Sequence, residues 1–176
     1  MMIVKLDHDE IMLIFERAKE RHETKNGIVV ADWGKHSLQR HYEGCRAEYA
    51  VERDLGGVAD WSVRPGGDNG EPDIFFPHLD MTGQVKYRGQ RGWDFALRTN
   101  NILDFRADLG ILVWPADGDD VRSTDHQSVD IVGYITQEQF KERAIVKGYG
   151  YGDRLVVEAN QLQPAEELAP HGLQKA

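Results

Sequence analysis

The chain has 176 residues, 40% of them hydrophobic and 29% charged, which suits one globular domain with a real core and excludes a disordered or fibrous chain. A formal net charge of −9 excludes indiscriminate nucleic-acid binding driven by bulk charge, because the whole-molecule field repels a polyanion. The single cysteine, Cys45, excludes an internal disulfide framework and a Cys-based zinc site.

No apolar run approaches the roughly 18 residues of a membrane span. The opening Met1–Asp7 lacks the basic region and long apolar stretch of a signal peptide. The expectation is a soluble, cytoplasmic protein with no membrane partner.

In chain order, Asp7 can cap a helix from about His8 to Glu23, with Ile11, Ile14, Phe15 and Ala18 at helical spacing and Asn26-Gly27 ending it. Ile28–Val30 reads as a short extended piece leading to Asp32-Trp33-Gly34. Ser37 begins a second helix to about Leu55, closed by Gly56-Gly57, and Val58–Arg64 reads as a first strand. Pro65–Gly70 is a turn-rich loop. Asp73–Phe76 and Gly83–Arg88 read as strands joined by a turn, with Trp93–Leu97 a third strand of the run. Asp108–Trp114 is almost continuously apolar, the pattern of a strand buried on both faces. Val129–Ile135 is a further strand, and Thr136 caps a helix through about Ala144. Leu155–Val157 with Leu162 gives a last extended piece. Helices first, then strands with one late helix, predict an α/β fold. One domain over residues 1–165 and a flexible tail over 166–176 are expected.

Three segments place polar groups where packing alone does not ask for them. On its helix Glu48 shares a face with Gly44, Val51 and Leu55, so a carboxylate points at a half-buried edge and needs a cation, a metal or hydrogen bonds. A salt bridge to Arg46, Arg53 or another segment would satisfy it as well. Asp73 opens a strand, where aspartate is unfavoured, which fits either a turn or a ligand role. Alternation puts Gln84, Lys86 and Arg88 on one face of the next strand and Val85 and Tyr87 on the other. From Lys86 to Arg98 the cations Lys86, Arg88, Arg91 and Arg98 stand against one acid, Asp94.

Asp73 follows Glu48 by 25 residues and Gln84 follows Asp73 by 11. In that order and at those gaps, Glu48 within Gly44-Cys45-Arg46-Ala47-Glu48, Pro72-Asp73, and Gly83-Gln84-Val85-Lys86 resemble the active site of the PD-(D/E)XK nuclease superfamily. The helix segment looks like the G-x-x-A-E opening of its Holliday-junction-resolvase-like branch. Ala107–Val113 and Val129–Ile135 are similar to later core strands of small phage and prokaryotic relatives.

The resemblance implies a restriction-endonuclease-like core, a central mixed sheet flanked by helices, and metal-dependent hydrolysis of DNA phosphodiester bonds. It makes Asp73 the central ligand of Mg²⁺ or Mn²⁺ and Glu48 a direct ligand or a neighbour of the ligands. Gln84 takes the second acidic position, the backbone carbonyl of Val85 also reaches the metal, and Lys86 is the catalytic lysine. Arg88, Arg91 and Arg98 become candidate phosphate contacts, Tyr87 or Trp93 candidate stacking platforms for a base, and a homodimer is compatible.

Gln84 departs from the pattern. A glutamine carbonyl oxygen can coordinate a hard cation but brings no charge. Three outcomes follow: Gln84 serves as a neutral ligand with a shift toward Mn²⁺, Glu71 or Asp80 stands in, or only DNA binding remains. A structural or protein-interaction domain is the third reading of the whole chain. The seven histidines show no zinc-like spacing, Asp117–Asp120 reads as a hairpin turn, and Gly148–Gly152 as a flexible connector.

Overall fold

The computed structural model describes residues 1–25, 37–62, 71–98, 105–149 and 152–170. The expected extended piece Ile28–Val30, the Asp32–Gly34 segment and the glycine-rich loop Pro65–Gly70 lie outside the described residues.

The elements run β1 (Met2–Leu6), α1 (His8–Lys25), α2 (Ser37–Leu55), β2 (Val58–Ala59), β3 (Ile74–Phe76), β4 (Met81–Tyr87), β5 (Phe95–Arg98), β6 (Leu109–Pro115), β7 (Gln127–Thr136), α3 (Gln137–Arg143), β8 (Ile145–Tyr149) and β9 (Gly152–Val157). The fold is mixed α/β, as the pattern of elements predicts. Six strands form one sheet in the order β1-β7-β6-β4-β3-β2, and β5-β9-β8 form a second. Among the described residues of the first sheet only β4 and β6 are paired in parallel; the other pairings are antiparallel.

Both predicted caps form. Asp7 Oδ1 accepts the Glu10 N–H at 3.0 Å while Glu10 Oε2 accepts the Asp7 N–H at 2.9 Å, a reciprocal capping box at the start of α1. Thr136 and Gln139 do the same for α3. Helix α2 lays Ala47, Val51 and Leu55, each fully buried, onto the sheet, and each large apolar side chain contributes about 1.5–3 kcal/mol. Strand β6 is buried along almost its whole length, because α1 and α2 cover one face and the second sheet with α3 covers the other.

Several expectations need correction. Strand β1 was not expected: Val4 and Leu6 point inward and Ile3 and Lys5 outward, an alternation too short to stand out beside the helix that follows. Of Val58–Arg64, only Val58–Ala59 is strand among the described residues. The strand near Trp93 begins at Phe95 and leaves the first sheet to pair with β9. Gly148 and Tyr149 end β8 and Gly152 begins β9, with Tyr149 opposite Gly152, so these residues belong to a hairpin. Packing also runs past residue 165: a 3₁₀ turn over Ala165–Leu168 buries Ala165 and Leu168.

The two sheets meet at Gly110, which sits directly under the Phe95 ring. A Cβ there would stand 2.5 Å from Phe95 Cζ. Gly110→Ala is expected to cost about 1–3 kcal/mol through overpacking, read as a lower urea midpoint with an unchanged slope. An unmoved midpoint would mean the contact between the sheets is slack.

Candidate active site

Strand β3 pairs with β4 only from Ile74 to Phe76, opposite Gly83 to Met81. Past Gly83 no strand among the described residues pairs with this edge of β4, and Asp73 takes over. Its N–H donates to the Gly83 carbonyl at 2.9 Å, its Oδ2 accepts the Val85 N–H at 2.8 Å, and the same oxygen accepts the Gln84 side-chain amide. Gln84 is 7% exposed. Its amide N–H donates to Asp73; a 180° turn of the side-chain amide exchanges nitrogen and oxygen and presents the carbonyl instead.

Glu48 arrives from α2 and is 8% exposed. Its partner is neither Arg46 nor Arg53 but Arg21 of α1. Arg21 Nη1 donates to Glu48 Oε1 at 3.0 Å and Nη2 lies 2.8 Å from Oε2, while Nη2 also donates to the Asp60 carbonyl at 3.0 Å. Asp60 in turn donates its N–H to the Asp73 carbonyl at 2.9 Å, so one short chain of bonds joins the two carboxylate residues. The ion pair is close at Oε2, yet that buried oxygen has no hydrogen bond of good geometry and keeps acceptor capacity.

Burial dominates the Glu48 carboxyl and pushes its pKa up from 4.5 to about 7; the Arg21 hydrogen bond and the Arg21 and Lys86 charges oppose this, and the Asp73 charge adds to it. Burial works against the Arg21 charge too, but the hydrogen bond and charge of Glu48 hold its pKa above the ordinary range. Cys45 lies beside this pair, and burial pushes its thiol up to about 11, so it stays neutral.

Glu48, Asp73, Gln84 and Lys86 therefore lie near one another. Lys86 has no hydrogen-bond or ion-pair partner among the described residues. The other expected contacts are less uniform. Arg88 holds its guanidinium 5.3 Å from the Trp93 ring centre, its Nε is buried without a partner, and Trp93 is 45% exposed. Arg91 is engaged elsewhere, 2.9 Å from Asp117 and 3.0 Å from Asp130. Tyr87 packs on the core under α2, its hydroxyl accepting from Arg46 Nη2 at 2.9 Å. Arg98 ends β5 opposite Arg154, and its side chain lies outside the described residues. Neither stand-in acid joins the site: Glu71 faces Arg106 at 3.7 Å, and Asp80 occupies the β3–β4 turn at φ 53°, about 13 Å along the chain from Gln84 at roughly 3.3 Å per residue.

Sequence reasoning missed Arg21 and its support. Arg17 and Arg21, one turn apart on α1, both stack on Trp61 at 4.0 and 5.3 Å. The available signal was two arginines at i, i+4 beside the apolar stripe Ile11, Ile14 and Ala18.

Among the described residues no group of three or more His, Cys, Asp or Glu could hold a metal ion. The oxygen donors at hand are two carboxylates, the Gln84 amide and the Val85 carbonyl. That set carries less charge than an all-carboxylate site provides, and Glu48 Oε2 already lies 2.8 Å from Arg21 Nη2. No protein-family profile and no curated protein sequence matches the chain.

The raised Glu48 carboxyl makes stability depend on pH. Unfolded it titrates near 4.5 and folded near 7, so between these values the folded state holds more protons and stability falls as pH rises. The contribution is fully present below the first value and lost through the second. Glu48→Gln stays neutral, so between about pH 5 and about pH 8 the wild type is expected to lose stability relative to it in urea unfolding. The ion pair with Arg21 forms only as Glu48 ionises, so its effect is already contained in the folded value. Parallel pH profiles would show that Glu48 ionises as in water.

Proposed function

We propose that the chain is a divalent-metal-dependent DNA nuclease that hydrolyses phosphodiester bonds at the open β4 edge beyond Asp73. The observation that carries this reading is the convergence of Glu48, Asp73, Gln84 and Lys86 on one partly buried edge. The order of elements supports a restriction-endonuclease-like core: helix α2, the antiparallel run β2-β3-β4, then β6 returning parallel beside β4.

In this reading Glu48, Asp73, the Gln84 amide oxygen and the Val85 carbonyl would hold Mg²⁺ or Mn²⁺. When bound, the ion would supply Lewis-acid polarisation of a phosphoryl oxygen. Lys86, free of an ion-pair partner among the described residues, orients a water at the β4 edge and offsets charge gathering on the phosphoryl oxygens. Arg88 offers the next cation on the strand, and the exposed Trp93 beneath it offers a face on which a base can stack. The protein would act on DNA in the cytoplasm, singly or as a homodimer.

One observation favours a second reading, a nucleic-acid-binding protein that keeps this arrangement without cutting. Arg21 already pairs Glu48, and Gln84 donates to Asp73 instead of competing with it for a cation.

The test is cleavage of supercoiled plasmid, linear duplex and a four-way junction with Mg²⁺ and then Mn²⁺. Wild type is expected to cut, with Asp73→Ala and Lys86→Ala each slower by about 100-fold or more, the usual loss when a positioned charge is removed from a reaction centre. Wild-type silence with cutting by Gln84→Glu would indicate a muted site. Silence from all variants, with DNA still bound, would favour the second reading.

A further inference from the structure

On the face of β6 and β7 that carries the second sheet lies a cleft of about 420 Å³, outside the site described above. Small-ligand sites span about 300–1,000 Å³. Trp114 of β6 and Val132 of β7 form its apolar floor. The Trp114 indole is held in place because its Nε1 donates to the Trp93 carbonyl at 2.8 Å. The β6–β7 register slips between Leu112 and Val113 and leaves Val132 without an opposite residue. Such a bulge re-aims the side chains beside it. A Cβ at Gly92, on the rim, would meet no atom within 4 Å, so that side is open.

The polar wall is held from β8 and from the segment before β5. Asp94 accepts the Ala159 N–H at 3.2 Å and Lys147 Nζ at 3.0 Å, which fixes the turn carrying Glu158 and Asn160. Both of these line the cleft. The Glu158 carboxylate has one long contact, Lys147 at 3.5 Å from Oε1. Among the described residues its Oε2 and the Asn160 side-chain amide have no partner. The cleft therefore offers a carboxylate fork and a free amide on one turn, above an apolar floor. A carboxylate accepts two adjacent N–H donors, and an amide NH₂ beside it donates to an oxygen. Guanine carries that set on its Watson–Crick edge, as N1–H and the 2-amino group next to O6; adenine, cytosine and thymine have no adjacent donor pair there. A cationic ligand is opposed by Lys147, whose ammonium already stands against both carboxylates.

We propose that this cleft binds a guanine base, with Glu158 accepting from N1–H and the 2-amino group, Asn160 donating to O6, and Trp114 and Val132 beneath the ring. Stacking and edge hydrogen bonds are how proteins read a base taken out of a helix. The base belongs to a free nucleoside or to an unpaired nucleotide of a strand, and the proposal does not depend on the nuclease reading.

The experiment titrates isotope-labelled protein with deoxyguanosine, deoxyadenosine, deoxycytidine, thymidine and deoxyinosine, following the Trp114 indole N–H by NMR. A second arm measures, by fluorescence anisotropy, DNA hairpins that differ only in one unpaired loop base. Guanine is expected to bind at least about 10-fold more tightly than the other bases, within the discrimination of a good bidentate pair. Deoxyinosine lacks the 2-amino group and should bind about 10-fold more weakly than deoxyguanosine. Glu158→Gln replaces one acceptor oxygen by a donor and should abolish the preference, and Asn160→Ala should reduce it. Both residues are exposed, so neither change threatens the core.

A preference confined to the nucleosides supports the proposal with a free nucleoside as ligand; one shown by the hairpins supports it with a strand. Absence of a guanine preference in both arms overturns it, as does a preference that survives Glu158→Gln. Binding of N-acetyl-arginine amide as tight as that of deoxyguanosine overturns it too, in favour of a basic side chain. Plasmid cleavage tests the nuclease reading separately and is untouched by any of these results.

Discussion

Strand β3 is too short for its neighbour, and the site exists because of that mismatch. Its ladder covers three residues while β4 runs for seven. A buried backbone N–H left without an acceptor costs about 1–3 kcal/mol, and the Val85 N–H would be such a donor. Asp73 supplies the acceptor with its carboxylate and binds β4 a second time through its own N–H. The aspartate is therefore fixed by the needs of the sheet at the point where the sheet stops. The opening left beyond it is where Lys86 lies and where Glu48 can approach from α2.

Holding two carboxylates in that opening sets burial against charge. For Glu48 burial wins, as its raised carboxyl shows, even though Arg21 reaches both of its oxygens. The pair is better understood as a device that keeps a charge tolerable than as a source of stability, because desolvating both ions can outweigh their attraction. Arg21 can hold this place because its flat guanidinium lies over Trp61 beside that of Arg17. The result is a site with acidic residues but little net charge, on a chain whose overall charge is strongly negative.

The features legible in the sequence were those fixed by local chemistry. The caps at Asp7 and Thr136, the helix ending at Leu55 before Gly56 and the apolar run of β6 depend on neighbours a few residues away, and each formed as its residues predict. The grouping of Glu48, Asp73, Gln84 and Lys86 was implied only by the resemblance their order and gaps carry. What spacing could not carry was partnership. Arg21 meets Glu48 across 27 residues, and nothing local distinguishes it from Arg17, the other arginine of α1. Arg91 looked like a free cation within a basic stretch, yet it pairs with Asp130, 39 residues away. Strand β5 was read with the wrong sheet for the same reason: its partner β9 lies far down the chain.

Arg46 shows how the positions of Glu48 and Lys86 become a single geometry. Two residues before Glu48, it is fully buried and points away from the site, donating to Asp119 at 2.8 Å, to Gln127 at 2.9 Å and to the Tyr87 hydroxyl at 2.9 Å. Gln127 also accepts from Tyr42, one turn earlier on the same helix, at 2.9 Å. Helix α2 is thereby tied to β7, to the connection between β6 and β7, and to the end of β4, at the residue that follows Lys86. Such a network is costly if any member is lost, because Asp119 would then be a buried charge without its partner. Apolar packing alone would let α2 slide along the sheet, whereas these directional bonds admit one register. The helix carboxylate and the strand lysine are thus placed against each other by a polar framework that touches neither, so their arrangement does not depend on a bound ion to assemble it.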